Sequence, residues 1–169
     1  MAIERVGRDP TTGRELYLAE VSDVRDWPEE IRLPAPHFVV VTAFDAESLE
    51  LDVLEQFAAK LLRQGCVFAC AWGRDCEKVH DAIDYAAIEA DALAGSDDVV
   101  LTTWHTDESL DETLYFAVFS AWAAASYEST TQAVVAIVEP SLRAIVESRL
   151  SDTTALASDV LGSEGGEAP

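Results

Sequence analysis

The sequence predicts an α/β fold: a three-layer sandwich on a mainly parallel, doubly wound sheet of four core strands, with room for an N-terminal edge strand. Three observations carry this. The runs FVVVTAF (38–44), CVFACAW (66–72), DVVLTTW (98–104) and QAVVAIV (132–138) carry apolar residues on both faces, without the alternation of a half-exposed strand. Segments of helical period follow each of them. Cap and stop residues stand at the junctions, among them Gly65, Gly95, Ser109 and Pro140. Strands buried on both faces and alternating with helices give a parallel sheet covered on both sides.

Along the chain, RELYLAEV (14–21) reads as the edge strand, after the turn-forming DPTTG. SDVRDWPEEIRLPAPH (22–37) holds three prolines and reads as an irregular connection. The first helix is expected over 45–65, capped by Asp45, stopped by Gly65 and striped by Leu51, Leu54, Ala58, Leu61 and Leu62. The second runs over 75–95 with Asp75 as cap and Gly95 as stop, and the third opens on a capping box formed by Ser109 and Glu112. Pro140 suits the first turn of the last helix. Residues 1–150 are expected to form a single α/β domain. From Ser151 the chain becomes small, acidic and aperiodic, so 151–169 is expected to be a mostly disordered tail.

Thirty-two acidic against eleven basic residues give a formal charge of −21. Such a field opposes docking on phosphate backbones and anionic lipid, and favours a basic protein partner. Neither a secretory h-region nor a run of membrane-spanning length occurs, so a cytoplasmic protein with no membrane partner is expected. Few lysines and many alanines fit a GC-rich bacterial genome. Cys66, Cys70 and Cys76 are too few for a disulfide framework, and no cofactor or metal is expected.

In open α/β sheets a ligand sits beyond the carboxyl ends of the strands, where strand order reverses. If the four core strands lie in the order 2-1-3-4, Asp45 and Glu47 face His105 and Asp107 across a crevice. His105, beside Asp107 and Glu108, is then a candidate base, with Asp45 and Cys76 near it. Trp72, Arg74, Asp75, Trp104 and Glu108 would line the site. The plain alternative is that Thr106, Asp107, Glu108 and Ser109 serve the next helix as caps and dipole partners. In CAWGRDCEKVH (70–80), Cys76 and His80 share a helix side and could bind one metal or form a thiolate–imidazole pair, but Cys76 is also in register with the buried stripe Val79, Ile83, Ala86 and Ala90. Neither GxGxxG, GxxxxGK[ST] nor GxSxG occurs.

The segment DETLYFAVFSAWAAASYE (111–128) is apolar nearly all round. Tyr115, Phe119 and Trp122 are expected to form an aromatic stripe, either a homodimer interface or a face covered by 22–37. The functional expectation is a small, soluble, non-catalytic protein-interaction or regulatory module. The competing reading is an enzyme or a ligand- or metal-binding protein centred on His105. An open pocket joining His105 to Asp45 or Cys76 favours the second; loops closed by Trp72 and Trp104 favour the first.

Overall fold

The structure is a computed structural model that describes residues 1–94 and 98–164. Ile3–Arg8 (β1), Glu15–Glu20 (β2), His37–Ala43 (β3), Cys66–Trp72 (β4), Leu101–Trp104 (β5) and Thr131–Val138 (β6) form one sheet in the order β1-β2-β6-β3-β4-β5. β1 pairs antiparallel with β2, and every other pairing is parallel. The fold is the expected mainly parallel α/β sandwich. The N-terminal region supplies two strands where one was read, because Glu4, Arg5 and Arg8 interrupt the apolar pattern of β1.

Helices cover both faces. Leu51–Arg63 (α1) and Cys76–Ala94 (α2) pack on one, where Leu54, Phe57, Leu61, Val79 and Ile83 meet Phe38, Val40 and Val135. Leu110–Tyr115 (α3), the π-helix Phe116–Ser120, Arg143–Ser151 (α4) and Thr153–Glu164 (α5) contribute to the other. There Leu114, Val146, Leu150 and Leu156 meet Val39, Val41 and Val134. Consecutive strand residues serve opposite layers, which is why the strands read as unbroken apolar runs.

The face taken by each helix sets the strand order. Crossovers between parallel strands are right-handed, so α1 and α2 on the same face step the chain from β3 to β4 to β5 in one direction. The next connection uses the opposite face and brings β6 back beside β3. In order of sequence the four core strands therefore lie 4-1-2-3, not 2-1-3-4. β4 separates β3 from β5, and the order reverses between β3 and β6.

Three expectations about helices need correction. Asp45 does not cap α1; its Oδ1 accepts from the Glu47 N–H (2.9 Å) within a loop, and Glu50 holds the cap position. The helix read over 111–128 ends at Ser120, where π-type widening places the Ala121 N–H on the Phe116 carbonyl (2.8 Å). The expected tail contains α5: Asp152 accepts from the Ala155 N–H (3.0 Å), and Thr153, Leu156 and Val160 are buried at helical spacing. Only residues 165–169 of that stretch, like Gly95, lie outside the described residues. The Ser109–Glu112 capping box forms as read. The 22–37 connection instead covers the α1 face, with Trp27 Nε1 donating to Gln64 Oε1 (2.8 Å).

Two glycines are required where they stand. Gly65 (φ +99°) ends α1 with its α-carbon against the Pro36 carbonyl, and Gly73 (φ +114°) turns β4 into α2 against the Phe44 carbonyl. A Cβ there would lie 2.1 Å or 2.3 Å from those oxygens.

Candidate functional site

The reversal of strand order between β3 and β6 opens a cavity of about 300 Å³ at their carboxyl ends. Phe44, Asp45, Glu139, Asp23 and Arg25 line it, together with Val21 and neighbouring loop residues. Glu139 is anchored on both carboxylate oxygens. Oε2 accepts from the Asp45 N–H (3.2 Å) and Oε1 from the Ser141 hydroxyl (2.5 Å). Arg25 is folded back on Asp23 (2.9 Å), and Arg74 pairs with Glu47 (2.8 Å) and Asp45 (3.7 Å). Glu139 and the 21–25 segment enter this site because β6 and β2, not β5, lie on that side of β3.

Two strands away, His105 is 5 % exposed and both of its ring nitrogens are engaged. Nδ1 faces Glu108 Oε2 at 2.7 Å and Nε2 faces Thr103 Oγ1 at 3.0 Å, while the ring packs on Phe116. A carboxylate only accepts, so Nδ1 carries the proton. The Trp72 indole N–H donates to the Glu108 carbonyl (2.9 Å) and ties the loop after β4 to the loop after β5. His105 thus clips the strand–helix junction instead of facing Asp45. Asp107 is exposed and, among the described residues, makes no ion pair.

Cys76 is buried in the α2 stripe, its sulfur 3.8 Å from Thr106 Oγ1. His80 does not join it. The imidazole spans Asp81 (2.8 Å) and Thr102 (3.0 Å) and lies against Trp104, whose indole is half exposed. Asp75 takes a left-handed backbone conformation (φ 57°) and pairs with Lys78 (3.6 Å). Burial pushes the thiols of Cys66 and Cys70 up to about 12, so they are inert core residues. Among the described residues no cluster of three His, Cys, Asp or Glu side chains is placed to hold a metal ion.

The aromatic stripe is divided. Tyr115 and Phe119 stack on each other (4.9 Å between centroids) and pack half-buried against the core. Trp122, beyond the break at Ser120, is 53 % exposed and covers the Arg14 guanidinium. Arg14 went unread in the sequence. Buried, it donates to the carbonyls of Ala117 (2.9 Å), Val118 (3.2 Å) and Ala121 (2.7 Å), closing the π-helix with a cation at its negative end. Its one local signal is its place after the DPTTG turn, where Asp9 gathers the backbone.

A groove between α1 and α2 on the outer surface also escaped the sequence reading. It holds two adjoining cavities of about 480 and 350 Å³ that share Glu55 and Tyr85. Leu51, expected in the buried stripe of α1, is the first residue of that helix and stands exposed on the groove, and exposed Tyr85 lies off the buried stripe of α2.

No curated protein and no solved structure matches the chain. One family profile does, over residues 16–153, from the second residue of β2 to the first of α5. That span holds the parallel strands, the switch-point cavity and the α1–α2 groove, and on it the chain belongs to DUF7684, a domain of unknown function.

Proposed function

We propose that this chain is a non-catalytic protein-interaction module. The observation that carries the reading is the closure of the junction around His105, where the competing reading placed a catalytic base. Both nitrogens of His105 are spent on Glu108 and Thr103, and Trp72 holds the loop in place. A base that must first break two hydrogen bonds and leave a buried site is poorly arranged for proton transfer. The larger cavities lie on the outer helical layer instead, where exposed Leu51 and Tyr85 offer apolar surface to another polypeptide.

The test is native mass spectrometry of the protein isolated from the cells that make it. A stoichiometric polypeptide companion, retained by His105→Gln, is the expected result. A monomer carrying a small molecule or divalent ion in stoichiometric amount, lost on His105→Ala, would sink the reading.

A second reading has an observation of its own. The 300 Å³ cavity at the switch point stands where doubly wound sheets bind ligands, and Glu139, which among the described residues pairs with no cation, would favour a small cationic one. In the same experiment this reading expects a bound amine that Glu139→Gln releases.

A further inference from the structure

We infer that the groove between α1 and α2 receives a basic amphipathic helix of a partner protein, a proposal that rests on the interaction-module reading and names the partner's chemistry. The apolar part of the argument comes first. The groove floor is built from small and aliphatic side chains, including Ala59, Leu62, Ala82 and Ala86. Leu51 (53 % exposed) and Tyr85 (56 % exposed) stand on its walls, and Ile88 is exposed one turn beyond Tyr85. Large apolar side chains left in water beside a groove are anchors for an apolar stripe at i, i+3/i+4 and i+7. Alanines below them let a helix lie close. The two cavities run along α1 for about 18 Å, at 1.5 Å per residue from Leu51 to Arg63, which matches a partner helix of about twelve residues.

Charge selects the partner. The cations that line the groove are already committed. Lys78 is held by Asp75 (3.6 Å) and by the carbonyls of Ala46 and Glu47 (3.3 Å each), and Arg63 by Glu29 (3.2 Å). Glu55, Glu77 and Glu89 line the same groove and, among the described residues, have no cation. An apolar trough with uncompensated carboxylates on its rim is complementary to a helix with leucine-like residues on one face and lysine or arginine flanking it. The formal charge of −21 would steer such a segment towards the molecule.

The probe is a synthetic peptide of about 18 residues containing leucine, alanine and lysine, with leucines on one helical face. Its control is an isomer of identical composition with the leucines dispersed. Binding to the full chain is followed by fluorescence anisotropy at about 0.15 M salt, with amide chemical shifts locating the contact. The amphipathic isomer is expected to bind at least about tenfold more tightly, with shifts along Leu51–Arg63 and the facing side of α2. Glu55→Lys with Glu89→Lys should weaken it about tenfold, and so should Tyr85→Ser. Asp107→Lys with Glu128→Lys, the same charge change elsewhere, should alter it less than about threefold.

All four side chains replaced by lysine are on the surface or half-buried, so unchanged thermal unfolding verifies the fold of each variant. Equal binding of the isomers, or equal loss in both lysine pairs, would reduce the effect to a diffuse acidic coat and overturn the proposal. Shifts confined to another surface, or no binding, would overturn the groove but leave the interaction module standing. That broader reading falls only to the bound small molecule or ion described above.

Discussion

Asp9 shows at the scale of one residue how this chain uses buried polar groups. Its carboxylate takes four hydrogen bonds, from the Thr11 and Thr12 backbone and from the hydroxyls of Thr12 and Thr153. Burial alone would raise its pKa. The Thr12 N–H, the Thr153 and Thr12 hydroxyls and the Thr11 N–H outweigh that and hold it below the usual carboxylate range. With the folded value depressed, its contribution is complete above the unfolded pKa near 4 and is lost as pH falls through the folded value. Asp9→Asn should therefore cost about 1–3 kcal/mol at neutral pH. The gap to the parent chain should narrow between about pH 5 and pH 3 in urea titrations, and a gap constant with pH would contradict this account. His105 belongs to the same scale. Its place after a strand and its neighbour Glu108 were legible; the burial of its ring against Phe116, which shuts the imidazole in, was not.

Among the elements, the π-helix is where local pattern and structure part most clearly. Residues 111–128 carry a helical period, yet the helix stops at Ser120 because Arg14, from the far side of the sequence, holds its last carbonyls. Arg14→Met keeps the bulk but leaves buried carbonyls without donors, and is expected to cost about 3 kcal/mol or more in equilibrium unfolding. Arg14→Lys should rescue only part of that loss, since an ammonium lacks the planar fork that reaches three carbonyls. Full rescue by lysine would show that charge, not geometry, closes the helix. The cap at Ser109–Glu112 was readable because its partners lie three residues apart; Arg14 lies about a hundred residues from the carbonyls it serves.

For the whole molecule, α5 completes the second helical layer. Leu156 is fully buried among α3, α4 and the sheet, so Leu156→Ala is expected to cost about 2–5 kcal/mol, whereas exposed Leu161→Ala should stay within about 0.5 kcal/mol. Equal, small losses at both positions would mean that α5 does not pack. The same layer accounts for the apolar face of 110–121. Its cover comes from the stretch read as a tail, whose stripe of Thr153, Leu156 and Val160 is too narrow and too short to stand out among serines and acids.

The sequence by itself determined the alternation of strands and helices from β3 to α4, the parallel sheet with two buried faces, the Ser109–Glu112 cap and the glycine that ends α1. Each of these is written in residues within a turn or a strand of one another. Tertiary structure decided the strand order, and with it which loops meet: Asp45 with Glu139 and the 21–25 segment, not with His105. Handedness fixes the direction of each crossover only once the face taken by its helix is known, and that choice is made by packing across the whole sheet.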